Sequence, residues 1–125
     1  MTRLLCIIAH PDDETMLCGG TLAALAARHP QLPIIVAHAG GDAWREAISA
    51  AQAQPNLWLD FATSTLERTR IERAVDTVGA ERVLFGTDMP LLDPCSSLYK
   101  VYDAQISEYQ RELILGGNMA RLTGV

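Results

Sequence analysis

The feature that most constrains this chain is an alternation repeated four times: an apolar run of strand length, a turn, then a helix-forming stretch. Residues 4–9 (LLCIIA) form the first run, and residues 21–28 (TLAALAAR), rich in alanine and leucine, predict the first helix. His29-Pro30 ends it, because the residue before a proline is pushed out of helical backbone. Residues 33–37 (PIIVA) predict a second strand, Gly40-Gly41-Asp42 a turn with a helix cap, and residues 43–54 a helix stopped by Pro55. Residues 56–61 (NLWLDF) predict a third strand, and residues 66–78 a helix closed by Gly79. Residues 82–85 (RVLF) predict a fourth strand. A long loop then leads to helical segments at about 98–115 and 118–122. Runs that are apolar throughout fit strands buried on both faces, and strands alternating with helices imply a parallel sheet with right-handed crossovers.

At 125 residues the chain suits one α/β domain, and it is too short for a full eight-fold barrel of about 250 residues. No linker or low-complexity stretch divides it. The net charge is −5, with one lysine and scattered arginines, which argues against a nucleic-acid partner. The first apolar run breaks at residues 10–14 (HPDDE), too early for a membrane span or a signal peptide. Cys6, Cys18 and Cys95 show no paired spacing, so no disulfide framework is expected and the setting reads as cytoplasmic.

In parallel α/β folds ligands bind at the carboxyl ends of the strands. His10, His38 and Asp88 all stand directly after predicted strands. Each taken singly is an ordinary loop residue, whereas all of them at equivalent places suggest a metal site. Imidazole and carboxylate both ligate zinc and similar ions and leave room for an activated water. Asp88 lies between Gly86 and Pro90, which suits a positioned carboxylate. Asp60, inside the third strand, reads as a satisfied polar residue. Trp44 and Trp58 read as packing residues, and Ser107-Glu108 and Gly116-Gly117-Asn118 as helix punctuation.

Residues 29–41 (HPQLPIIVAHAGG), 54–62 (QPNLWLDFA), 78–90 (VGAERVLFGTDMP) and 106–122 (ISEYQRELILGGNMARL) carry a resemblance in order and spacing. From about residue 28 to residue 125 the chain resembles the C-terminal half of the amidohydrolase-2 family. These are barrel hydrolases and decarboxylases related to aminocarboxymuconate semialdehyde decarboxylase. The resemblance implies strands six to eight of a (β/α)8 barrel and a divalent metal, most simply zinc. It also implies that His38 contacts the metal or orients its water. Asp88 would be a metal ligand that accepts the water's proton. The family's HxH pair after strand one has no counterpart here.

Residues 9–14 (AHPDDE) and 18–23 (CGGTLA) are instead similar to the opening of the PIG-L/LmbE zinc deacetylases. That likeness covers residues 4–28, about a quarter of the chain. It implies zinc on His10 and Asp13 with Asp12 as general base; the family's distal histidine motif has no match. Placing this segment at strand five gives a (βα)4 half of a TIM-type barrel over residues 1–125. Such a half leaves sheet edges and an apolar inner face open, so self-association as a homodimer is expected. Three functions follow as expectations. The first is metal-dependent hydrolysis or decarboxylation of a small molecule, with His38, Asp88 and Asp12 catalytic and His10, Asp13, His38 and Asp88 at the metal. The second is N-deacetylation. The third is a truncated or chimaeric barrel fragment that self-associates without catalysis.

Overall fold

A computed structural model describes residues 19–62 and 69–125. The elements are α1 (Gly19–Arg28), β1 (Ile34–Val36), α2 (Trp44–Ala53), β2 (Leu57–Asp60), α3 (Arg70–Val78), β3 (Val83–Leu84), α4 (Pro94–Asp103), α5 (Glu108–Glu112) and α6 (Asn118–Thr123). The strands form one parallel sheet in the order β1-β2-β3. Ile34 pairs with Leu57, Ile35 with Trp58, Leu59 with Val83 and Asp60 with Leu84. The parallel α/β alternation expected from the sequence is present. The expected strand at residues 4–9 lies outside the described residues, as do His10, Asp12 and Asp13.

One face of the sheet carries the core. Leu57, Leu59 and Val83 are buried with Ile48 and Ala51 of α2 and with Ile71, Ala74, Val75 and Val78 of α3. The α3 positions recur at helical spacing and give a single apolar stripe. Burial of both faces, expected from the unbroken apolar runs, is not what β1 and β2 show. β2 alternates between buried and half-buried residues, and Ile35 on β1 is 45% exposed. Helices cover one face, while the face bearing Ile35 and Trp58 is covered only in part.

A buried amide and a half-buried guanidinium stitch the amino-terminal end of the sheet. The Asn56 amide donates to Ala26 O, His29 O and Leu32 O, at 3.2, 3.2 and 2.9 Å, tying the end of α1 to the start of β2. The Arg82 guanidinium donates to Val78 O at 3.1 Å and to Ala51 O at 2.6 Å, reaching the last turns of α3 and α2. Carbonyls at helix ends have no partner within the helix, so these cations and amides satisfy them.

The far edge of β3 is bonded as well. Leu84 turns its backbone groups to β2, with Phe61 N–H donating to Leu84 O at 3.1 Å, so Val83 O and Phe85 N–H point the other way. The Asn118 amide donates to Val83 O at 2.8 Å and to Ala80 O at 2.7 Å, and Phe85 N–H donates to Ile114 O at 3.1 Å. Ile114 O is available because residues Leu113–Gly117 form a π-helical turn in which Asn118 N–H reaches back to Leu113 O. Asn118 is 0% exposed, and its own Oδ1 accepts from Arg121, whose guanidinium lies 5.5 Å from the Trp58 ring centroid.

Several local expectations change. Gly116-Gly117-Asn118 does not end a helix; the wide turn carries α5 into α6. Asp42 does not cap α2, because the turn before it runs on to Ala43, which stands at the N-cap without a side-chain bond. The helix expected from about residue 98 starts at Pro94, whose fixed φ suits a first turn. Ser107 does cap α5, in a reciprocal box with Gln110, and Gly79 closes α3 at φ 85°.

Candidate active site

The carboxyl end of the sheet gathers the residues with chemistry. His38 leaves β1, Asp60 ends β2 and Asp88 follows β3. His38 and Asp88 both adopt left-handed backbone, at φ 53° and 56°, a conformation uncommon for residues with side chains. The strain at His38 runs on through Ala39 at φ 49° and Gly40 at φ 83°. A Cβ on Gly40 would lie 2.8 Å from the Ala47 Cβ, so α2 can approach this turn only because residue 40 is glycine.

Two contacts hold the turn. The buried guanidinium of Arg70, at the start of α3, donates to Gly41 O at 3.1 Å and lies 5.1 Å from the Trp44 ring centroid. Trp44 itself is buried, as a packing residue should be. The second contact runs from His38 Nδ1 to Ala62 O, across to the end of β2. A carbonyl only accepts, so Nδ1 carries a proton, and in the neutral ring Nε2 is the nitrogen with the lone pair.

Asp60 sits between the other two. Its Oδ1 accepts Ala62 N–H at 3.1 Å. Burial pushes its carboxyl above the ordinary value; the Ala62 bond and His38 work against that rise and the Asp88 carboxylate adds to it. The expectation of a satisfied polar residue therefore understated Asp60, which shares the field of His38 and Asp88. Gly86 makes room for it, since a Cβ there would lie 2.3 Å from Asp60 Oδ1. Nearby, burial pushes the Lys100 ammonium on α4 below its ordinary value, and Arg70 adds to that shift. Neither Arg70 nor Asp60 carries a local sequence signal; a charged residue at a strand end or in a first helical turn is common on any surface.

Donor chemistry at this end suits a divalent cation in kind, with an imidazole Nε2 and carboxylate oxygens. Among the described residues, no three His, Cys, Asp or Glu side chains converge closely enough to hold an ion. Of the candidates named from the sequence, His38 and Asp88 stand at this end, and His10, Asp12 and Asp13 lie outside the described residues.

A parallel sheet with its polar residues at the strand carboxyl ends is common to TIM barrels and open α/β sheets, and comparison with solved structures puts this one with the TIM barrels. An uncharacterised TIM-barrel protein from Bordetella bronchiseptica superposes with a TM-score of 0.72 at 24% identity, covering 85% of this chain and 39% of that one. An amidohydrolase from Burkholderia multivorans with bound zinc gives a TM-score of 0.69 at 19% identity, over 95% and 51%. The amidohydrolase family model matches residues 7–125, and the chain belongs to that family. A 1D-myo-inositol 2-acetamido-2-deoxy-alpha-D-glucopyranoside deacetylase from Mycolicibacterium vanbaalenii is 33% identical over 64% of this chain and 31% of its own length. That likeness extends well past the quarter expected from the AHPDDE segment. The chain spans from about a third to about half of these proteins' lengths. Among the described residues, no helix is long and apolar enough to cross a membrane.

Proposed function

We propose that the chain carries the strand-five-to-eight half of a metal-dependent hydrolase of the amidohydrolase type. Its reaction would be hydrolysis of a C–N or C–O bond in a small molecule, or a related decarboxylation. The observation that carries this reading is the placement of His38, Asp60 and Asp88 at the carboxyl ends of consecutive parallel strands, within one another's field. His38 and Asp88 would hold the ion with His10 and Asp13, and zinc is the cation proposed. Bound there, it would supply Lewis acidity and lower the pKa of a water. The chain's own residues do the rest. The one lone pair of the His38 ring, on Nε2, either ligates the ion or orients the water. The Asp88 carboxylate accepts a proton from it, and Asp12 is the alternative acceptor. Burial makes a charge on Asp60 costly and Asp88 adds to that cost, so the Asp60 carboxyl holds its proton to higher pH than an ordinary carboxylate.

Metal analysis of the purified chain tests this. About one zinc per chain is expected in wild type, lost in Asp88→Asn; no metal in either sinks the reading and leaves a fold without catalysis. The length of the deacetylase likeness favours a second reading, an N-deacetylase on His10, Asp12 and Asp13. In that case Asp12→Asn abolishes deacetylation of an N-acetyl amino sugar with metal retained, and Asp88→Asn leaves it intact. We also propose a homodimer, formed through the partly covered sheet face around Ile35 and Trp58.

A further inference from the structure

We infer that Asp60 is a positioning residue for His38, acting through the backbone of Ala62. The inference deepens the hydrolase reading and rests on it in one respect: Nε2 is taken as the nitrogen presented to the reaction. Three links carry it. Asp60 Oδ1 accepts Ala62 N–H at 3.1 Å, a local bond spanning two residues that turns the chain as it leaves β2. That turn aims the Ala62 carbonyl at β1, where it accepts the Nδ1 proton of His38. The bond selects one neutral tautomer and one ring orientation, as partners behind a reactive imidazole generally do.

The third link is Gly86. A Cβ at this position would lie 2.3 Å from Asp60 Oδ1 and 2.8 Å from the Ala62 Cβ. The loop after β3 thus closes directly on the carboxylate and the turn it holds. Residues 38, 60 to 62 and 86 come from the ends of all three described strands, so the ring of His38 is set by the sheet rather than by its own loop.

The test reads the tautomer directly. Long-range proton–nitrogen correlation spectra of the labelled, metal-free chain, with His38 assigned through His38→Gln, distinguish the protonated ring nitrogen from the bare one. Wild type is expected to show Nδ1 protonated. Asp60→Asn, which keeps an acceptor oxygen, is expected to preserve that pattern. Asp60→Ala is expected to lose it, the two nitrogens moving towards averaged positions. A wild type protonated at Nε2, or an Asp60→Ala chain that keeps a single Nδ1–H form, overturns the inference. If Asp60→Ala does not fold, Gly86→Ala takes its place: it is expected to lose the same pattern, and retention there overturns the inference equally. Zinc uptake is measured separately, so failure of the metal reading leaves the tautomer result standing.

Discussion

Asp60 also makes the chain's stability depend on pH in a direction opposite to that of most carboxylates. Its pKa in the fold is raised above the ordinary 3.8, chiefly by burial. Between 3.8 and the raised value the folded chain therefore binds more protons than the unfolded one, and stability falls as pH rises through that window. At neutral pH the buried charge is a net cost. In metal-free protein, Asp60→Asn is expected to raise the urea midpoint at neutral pH, with the advantage fading as pH drops towards 3.8. An Asp60→Asn chain less stable than wild type at neutral pH would show that the carboxylate is held by more than the Ala62 bond. The candidate site was legible in sequence only in part. His38 and Asp88 stand out because each directly follows an apolar run. Asp60 and Arg70 do not, because their roles come from what lies across the sheet: Arg70 meets Gly41, 29 residues away, and Asp60 faces two other strand ends.

At the scale of elements, apolar periodicity is a local property, so strand and helix order could be read along the chain. Caps that rest on near neighbours were also readable, as Ser107 with Gln110 and the left-handed Gly79 show. Bonds made across the fold were not. Asn118 reads as punctuation in sequence, yet it is a buried amide that satisfies carbonyls 35 and 38 residues away. The two kinds of contact should differ in cost. Ser107→Ala removes an exposed cap, worth about 1 kcal/mol. Asn118→Ala leaves the carbonyls of Ala80 and Val83 without that donor, at about 1–3 kcal/mol for each group left unsatisfied. Denaturation of the two variants checks this order, and equal losses would mean that water or a shift of the C-terminal helix repairs the edge.

Over the whole molecule, the helices cover one sheet face and leave Ile35 on the other 45% exposed. If the proposed homodimer forms there, wild type sediments as a dimer at micromolar concentration and Ile35→Glu as a monomer with little loss of stability. A dimer that survives this change places the interface elsewhere. It should not be sought along β3, where Asn118 and Ile114 stand at the positions a neighbouring strand would occupy. A bare sheet edge is a template on which further strands crystallise, whether from a sister chain or a growing fibril. On the β3 side any newcomer must first evict an occupant from the same polypeptide. Fibre growth, domain exchange and tandem fusion of this unit all meet the same lock there, made of the Asn118 amide and the Ile114 carbonyl.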